Sequence, residues 1–359
     1  MKSLEAIGIQ SIVEEHKQQI QEVKENRRFT FIDLFAGIGG FHIALHNIGG
    51  ECVFASECDD DARKTYGENF KKISPELFKN GKFGGDITKI DPNLIPDHDV
   101  LCAGFPCQPF SISGLQKGFE DTRGTLFFNI LEIASIKKPK VLFLENVKHL
   151  IHHNQGNTFK VIIESLREIG YKPTWKVLNA KDFGLAQNRE RIIIVAHRDK
   201  EFNFKKIKKE KGTILKDILE KDKDFEYLES DEYTILDKDL WKQQASGLIF
   251  CGYRNKKVRT VGARPNTEHL SRVHKQPNRI YYIEGTHPTL PAQETSGRYW
   301  IYNDERVRKL TIRECYRLQG FPEDFIISDK KTQSYIQVGN AVAIPMIEKI
   351  MEEIKEQLL

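Results

Sequence analysis

Phe29-Thr30-Phe31-Ile32-Asp33-Leu34-Phe35-Ala36-Gly37-Ile38-Gly39-Gly40 is an apolar run that ends in a glycine-rich turn. A short buried strand followed by such a turn opens a βα unit, because glycine reaches backbone angles that other residues avoid. The next residues continue the pattern. Phe41, Ala44, Leu45 and Ile48 recur at helical spacing, Gly49-Gly50 closes the helix, and Cys52-Val53-Phe54-Ala55 reads as a second strand. Further buried-strand runs lie at Asp99 to Ala103, Val141 to Leu144 and Ile192 to Ala196. Strands alternating with helices predict an α/β fold: a mostly parallel sheet with helices on both faces.

The regularity stops near Arg198. Residues 200–240 are rich in Lys and Asp, and a basic stretch punctuated by Gly and Pro follows. At about 150 residues per domain, 359 residues suit one large and one small domain. The expected layout is a helical leader over 1–28, a large domain over 29–200 and a small one over 201–300. A hinge and helix block over 301–335 and a returning C-terminal helix over 336–359 complete it. In the helix block, Thr311-Ile312-Arg313-Glu314 has the form of a capping box, opening a helix that Gly320 and Pro322 close.

Composition excludes several classes. A chain 39% hydrophobic and 30% charged can fold around a core. No apolar run approaches the roughly 18 residues of a membrane span, and no signal-type apolar segment follows Met1, so the expected place is the cytoplasm. The six cysteines contain no C-x-x-C pair, which argues against a disulfide framework or structural zinc. His42, His46, His152 and His153 have no ligand spacing, so no metal is expected. The net charge of +4 says little by itself, but it is unevenly spread. Between Cys251 and Ile280 stand Arg254, Lys256, Lys257, Arg259, Arg264, Arg272, Lys275 and Arg279, against the single acid Glu268. Asn266, Gln276, Asn278, Tyr281 and Tyr282 lie in or beside this run. Such residues contact phosphates and bases, although a solvated basic face has the same composition.

Three features at the ends of the early strands point to an adenosine-containing cofactor. Gly37 and Gly39 let a ligand approach the first turn, Glu57 ends the second strand where ribose hydroxyls would lie, and Asp86 follows Gly84-Gly85. The full G-x-G-x-x-G of dinucleotide binders is missing, which disfavours a nicotinamide oxidoreductase. Cys107 sits in Gly104-Phe105-Pro106-Cys107-Gln108-Pro109-Phe110-Ser111, on a turn between two prolines, a setting for an accessible thiol. Glu145 ends the strand Val141 to Leu144 in Glu145-Asn146-Val147. Gln187, Arg189 and Arg191 alternate along an extended segment, which places them on one side of it.

Together with Arg308-Lys309-Leu310-Thr311 to Gly320-Phe321-Pro322 and Gln337-Val338-Gly339-Asn340-Ala341-Val342, these blocks resemble, in order, the bacterial DNA cytosine-5 methyltransferases of restriction-modification systems. The resemblance covers roughly residues 29–198 and 305–346. It implies a Rossmann-like large domain of the S-adenosylmethionine-dependent methyltransferase type and a small, irregular target-recognition domain. It also implies methyl transfer from S-adenosylmethionine to carbon 5 of a cytosine flipped out of double-stranded DNA. Carbon 5 is a weak nucleophile; a thiolate adding at carbon 6 makes it an enamine carbon able to attack the methyl group. A free thiol is only ~3% ionised at pH 7, so a cationic neighbour or proton loss during attack must help.

By the same resemblance Cys107 is the nucleophile, and Glu145 holds the exocyclic amine and protonates ring nitrogen 3. Arg191 contacts the carbonyl at position 2, and Arg189 supports the pocket and the target phosphate. Phe35 would pack on adenine, Gly37 and Gly39 leave room for the methionine end, Glu57 binds ribose and Asp86 the adenine amine. Asn340 lies near the cofactor carboxylate. One departure is Cys58, where the family commonly has a tryptophan stacked on adenine; weaker packing on that side is expected. In the small domain, Gln276 would enter the helix, Arg279 and Thr289 would meet DNA, and Ser113 would approach from the opposite groove. The implied partners are duplex DNA and a cognate restriction endonuclease, with no membrane and a monomeric enzyme. A tRNA cytosine methyltransferase of the same fold and a catalytically idle DNA binder are the rival readings. The long basic insert disfavours the first, and Cys107, Glu145, Arg191 and Asp86 together disfavour the second.

Overall fold

The computed structural model describes residues 28–106, 126–221, 224–256, 267–292 and 299–359. The expected leader lies outside them except for Arg28.

Eight strands belong to the first part of the chain: β1 (Phe29–Leu34), β2 (Gly50–Ser56), β3 (Phe83–Gly84), β4 (Val100–Gly104), β5 (Val141–Val147), β6 (Lys172–Asn179), β7 (Gln187–Asn188) and β8 (Glu190–His197). Seven of them form one sheet in the order β3-β2-β1-β4-β5-β8-β6. The pairings among the first five are parallel, while β8 runs antiparallel to both β5 and β6. The helices among them are α1 (Gly40–Asn47), α2 (Asp60–Phe70), α3 (Leu126–Lys137) and α4 (Asn157–Glu168).

The strands read as continuous apolar runs because both sheet faces are covered. Phe31, Val100, Cys102, Val141 and Phe143 face one core, with Phe41, Leu45, Tyr66 and Phe70. Their neighbours Ile32, Leu34, Leu101, Ala103, Leu142 and Leu144 face the other, with Phe127, Ile130, Leu131, Ile162 and Leu166. Strand β6 escaped the sequence reading for the opposite reason. It is an edge strand, much of it solvated, and Trp175 is 42% exposed, so Lys172-Pro173-Thr174-Trp175-Lys176 carries no apolar run.

The second part holds a short helix, α5 (Leu215–Ile218), and the strands β9 (Tyr233–Ile235), β10 (Phe250–Arg254), β11 (Arg279–Tyr282), β12 (His287–Pro288), β13 (Trp300–Tyr302) and β14 (Val307–Lys309). Five of these form a sheet in the order β14-β13-β11-β10-β9, around a small core of Cys251, Ile280, Trp300 and Val307. This sheet runs on to Lys309. The expected boundary at residue 300 would cut through β13, because Trp300 pairs with Lys309 in an antiparallel hairpin. Strand β12 leaves this sheet and pairs with β7, joining the two parts.

Three helices end the chain: α6 (Ile312–Arg317), α7 (Lys331–Asn340) and α8 (Ile344–Leu358). Helix α7 straddles the division expected between 335 and 336. Thr311 and Glu314 form the capping box read from the sequence, the Thr311 hydroxyl accepting from the Glu314 N–H and Glu314 Oε2 accepting from the Thr311 N–H at 2.8 Å. The same carboxylate receives both arms of the Arg308 guanidinium at 2.8 Å, in a pair almost closed to solvent. A buried ion pair is costly to desolvate, and here the bidentate geometry and the cap fill the remaining lone pairs. Helix α8 returns to the first sheet, laying Ile347, Ile350, Met351 and Ile354 into the core shared with α1.

His42 of α1 is buried in this core. Its Nδ1 lies 2.6 Å from the Tyr66 hydroxyl, its Nε2 3.0 Å from Ser74 Oγ, and its ring stacks on Phe70 at 4.1 Å. Burial, with His46 nearby, pushes its pKa down from 6.5 to about 3. The unfolded chain therefore takes up a proton that the folded one refuses, and stability present above pH 6.5 is lost as pH falls towards 3. In urea unfolding, this group should add up to about 1.4 kcal/mol per pH unit to the slope below pH 6.5. His42→Gln should flatten the profile by that amount; an unchanged slope would contradict it.

Candidate active site

The carboxyl ends of β1, β2, β4 and β5 open onto a cavity of about 470 Å³, lined in part by Phe35, Gly37, Glu57, Glu145, Arg191 and Asn340. Brought together here are residues that the sequence spreads over three hundred positions. Strand β8 contributes because it is antiparallel: Arg191, near its start, pairs in register with Val147 at the end of β5.

The first wall is the turn after β1. Phe35 and Gly37 both adopt left-handed backbone angles, φ 56° and 55°. The Gly37 N–H donates to Glu57 Oε2 at 2.8 Å, and the Asp59 N–H donates to Glu57 Oε1 at 2.9 Å, so this carboxylate ties the two early loops. A Cβ at Gly37 would meet nothing within 4 Å, which leaves this position open. Gly39 behaves otherwise. At φ 86° it caps α1, and a Cβ there would lie 2.2 Å from the Phe70 ring. Its missing side chain makes room for Phe70 and Tyr66, not for a ligand, which corrects the expectation for it.

Asp86 stands at the same sheet edge but outside the lining. Its Oδ1 accepts from the Thr88 N–H at 3.0 Å and hydroxyl at 2.8 Å, and those bonds hold its pKa below the usual carboxylate range. Cys58 is exposed and forms part of the wall beside Glu57.

The second wall carries the charges. Glu145 Oε1 and Arg191 Nε are 2.9 Å apart, and each side chain is 10% exposed. Burial lowers the Arg191 pKa and the Glu145 carboxylate opposes that. Asn146, beside them, donates to the Phe105 carbonyl at 2.8 Å. The chain then reaches Pro106; Cys107 and Ser113 lie outside the described residues.

Arg189 corrects another expectation. Its side chain does support the pocket: Nη2 donates to the Gly339 carbonyl at 3.0 Å and the Ala341 carbonyl at 2.7 Å, and Nη1 to the Leu290 carbonyl at 3.5 Å. At 1% exposure the guanidinium is buried behind the cavity that the residue helps to line, so no phosphate can reach it in this structure. Burial and the nearby Arg191 cation push its pKa down, and Glu145 acts against them.

The third wall was only partly legible. Gln333, Ile336, Gln337 and Asn340 all line the cavity, spaced as one face of α7. The sequence reading singled out Asn340 alone, although the same helical period runs through the other three. Gln337 receives the Thr65 hydroxyl at 3.2 Å, linking α7 to α2.

Just after β12, Thr289 donates its hydroxyl to the Asn188 carbonyl at 2.8 Å, next to Arg189. Arg279 opens β11 and donates through Nε to the His274 carbonyl at 3.1 Å. Gln276 is exposed in the single turn Gln276–Asn278 and is absent from the cavity lining. Of the basic stretch, Lys257, Arg259 and Arg264 lie outside the described residues, while Arg254 stacks on Trp300 at 4.5 Å.

A seven-stranded sheet with one antiparallel strand, bearing a ligand-sized cavity at its carboxyl edge and an acid–arginine pair in the wall, is an α/β fold with a site of the size that takes a small molecule. Comparison with known proteins narrows this. The family described as C-5 cytosine-specific DNA methylase matches residues 29–356. Type II methyltransferase M.HhaI of Haemophilus parahaemolyticus is 40% identical over 350 residues, covering 94% of this chain and 98% of that protein. Type II methyltransferase M.HpaII of Haemophilus parainfluenzae is 40% identical over 349 residues, covering 92% and 90%. Among solved structures, the Dnmt2 methyltransferase of S. pombe has a TM-score of 0.63 at 19% identity, covering 92% of this chain and 99% of that one. The Entamoeba histolytica methyltransferase EhMeth has a TM-score of 0.61 at 18% identity, covering 93% and 99%. The chain belongs to the C-5 cytosine-specific DNA methylase family. It is a DNA cytosine-5 methyltransferase with the Rossmann-like fold of the S-adenosylmethionine-dependent methyltransferases. Among the described residues, no helix is long and apolar enough to cross a membrane.

The two glycines of the first turn should respond differently to alanine. A left-handed alanine costs about 1–2 kcal/mol at either position. Gly39→Ala adds a clash with Phe70 that overpacks the core, so it should lose about 1–3 kcal/mol more than Gly37→Ala. Equal urea midpoints for the two variants would refute this assignment.

Proposed function

We propose that this enzyme transfers a methyl group from S-adenosylmethionine to carbon 5 of a cytosine flipped out of a short, specific site in double-stranded DNA. The observation that carries the reading is the Glu145–Arg191 pair at 2.9 Å in the wall of a 470 Å³ cavity. A volume of this size suits a small-molecule cofactor and one base.

The wall fits the cofactor. Glu57 presents a carboxylate where ribose hydroxyls would lie, Phe35 and the open Gly37 turn would take adenosine and the methionine end, and Asn340 would lie near the amino-acid carboxylate. Asp86 would reach the adenine amine from the same sheet edge by exchanging its Thr88 contact. S-adenosylmethionine supplies the electrophilic methyl group when bound.

The protein's own groups act on the base. Cys107 gives up its proton and forms a bond to carbon 6, and the carbon 5–carbon 6 π electrons move to carbon 5. Glu145 holds the exocyclic amine and delivers a proton to ring nitrogen 3, so negative charge does not build on the ring. Arg191 donates to the carbonyl oxygen at position 2 while keeping Glu145 in place. After methylation Glu145 takes back the proton from nitrogen 3, a base takes the proton from carbon 5, the double bond re-forms and the Cys107 sulfur leaves. Flipping lets these groups reach a base that is otherwise stacked in the helix. In this reading the 201–300 segment, with the hairpin to Lys309, is the target-recognition domain. Gln276 enters the helix, Arg279 and Thr289 meet DNA, and Ser113 comes from the opposite groove. M.HhaI and M.HpaII are named Type II methyltransferases, which supports a modification role beside a restriction endonuclease.

Duplex DNA carrying 5-fluorocytosine tests the chemistry, because fluorine cannot leave as the proton does. With S-adenosylmethionine present, the protein should stall as a covalent adduct that peptide mapping places on Cys107. Glu145→Gln should keep DNA binding and lower kcat by about 10²-fold or more. An adduct on tRNA alone would transfer the activity to RNA, and no adduct on either would remove the catalytic reading.

A further inference from the structure

Strands β4 and β5 pair through their main chains as far as Gly104 with Glu145. One residue beyond that, Asn146 takes over with its side chain. Its Nδ2 donates to the Phe105 carbonyl at 2.8 Å, and its Oδ1 accepts from the Val147 N–H at 2.8 Å. The residue is 4% exposed, and both halves of its amide are engaged, so the side chain has one orientation. Phe105 is itself buried, its ring 5.4 Å from that of Phe127. Pro106 follows and has no N–H with which to pair, so the Asn146 contact is what extends the sheet towards the next residue in sequence, Cys107.

We propose that Asn146 is a positioning residue that sets the reach between the chain leading from Phe105 to Cys107 and the Glu145 carboxylate. This inference rests on the roles given above to Cys107 and Glu145. The geometry behind it is simple. Carbon 6 and nitrogen 3 belong to one rigid ring, so the sulfur and the carboxyl must meet it at a fixed separation. Glu145 stands near the end of β5 and Cys107 follows the end of β4 by three positions in sequence; these strands are parallel neighbours, and the Asn146 amide joins their ends where main-chain pairing stops. An error of about 1 Å in such a constellation costs on the order of 10²-fold in rate. Only an amide of this length donates to one strand and accepts within the other. Alanine offers neither group, and an ionised aspartate keeps the acceptor but loses the donor.

Asn146→Ala and Asn146→Asp test this in the full-length protein. The measurements are the single-turnover rate of adduct formation on 5-fluorocytosine duplex, kcat, the Kd for S-adenosylhomocysteine and the Kd for DNA. The adduct rate and kcat should both fall by about 10²-fold, while the two dissociation constants stay within about threefold of the parent. A purely structural role would instead weaken both affinities together with the thermal midpoint. If Asn146→Ala does not fold, Asn146→Asp carries the test, because it preserves shape while a carboxylate oxygen replaces the donor. An adduct rate within about threefold of the parent in a folded variant would overturn the role of Asn146 alone. Absence of any adduct with the parent protein would overturn the cytosine chemistry on which the role depends.

Discussion

A guanidinium held by carbonyl oxygens sits at the joint of this molecule. Arg189 is 1% exposed and reaches the carbonyls of Leu290, Gly339 and Ala341, three points in segments separated by more than a hundred residues from its own. Burying a cation is expensive, and a planar fork lowers the cost because several donors find acceptors at once. Its neighbours complete the knot. Gln187 donates to the Leu318 carbonyl and accepts from the Leu290 N–H, and Gln319 donates to the Val338 carbonyl. Gly339 passes so close to Pro291 that a Cβ would lie 2.2 Å from the Pro291 carbonyl oxygen. The segment after β12, the α6 end and the α7 wall of the cavity are thereby held to the short stretch from Gln187 to Arg189. Loss of that guanidinium would take a donor from three interior carbonyls at the same place, of which, among the described residues, Ala341 alone keeps a second one, from Gln319 at 3.3 Å.

The direction of one strand then decides where the chemistry can be. Because β8 is antiparallel between β5 and β6, its first residues, not its last, lie at the carboxyl edge of the sheet. Arg189 and Arg191 reach the cavity for that reason, and Arg191 meets Glu145 across the β5–β8 pair. A parallel strand with the same residues would have carried both arginines to the opposite edge. Asn146 works on the other side of β5, where β4 ends. Strand β5 thus has an arginine pair on one flank and Phe105, just past the end of β4, on the other.

Much of this was visible before any coordinates. The runs at 29–34, 100–103, 141–144 and 192–196 were legible because both sheet faces are buried, and a doubly buried strand is apolar at every position. The capping box at Thr311 was legible because its hydrogen bonds close within four residues. Glu57, Glu145 and Arg191, which line the cavity, each stand at or beside the end of a strand legible in this way. Strand β6 was not, because an edge strand with a solvated face loses the apolar pattern. The end of the small sheet at Lys309 was missed because its hairpin partner, not local composition, makes 307–309 a strand.

The sequence by itself determined the α/β class and the strand ends at which Glu57 and Glu145 stand, since these depend on periodicity within a few positions. Tertiary structure alone decided that Gly39 makes way for Phe70, that the Arg189 side chain faces inward, that four residues of α7 form a wall, and that Asn146 bridges two strand ends. Each of those depends on a partner distant in the chain, and a contact of that kind leaves no periodic mark on either of the segments that make it.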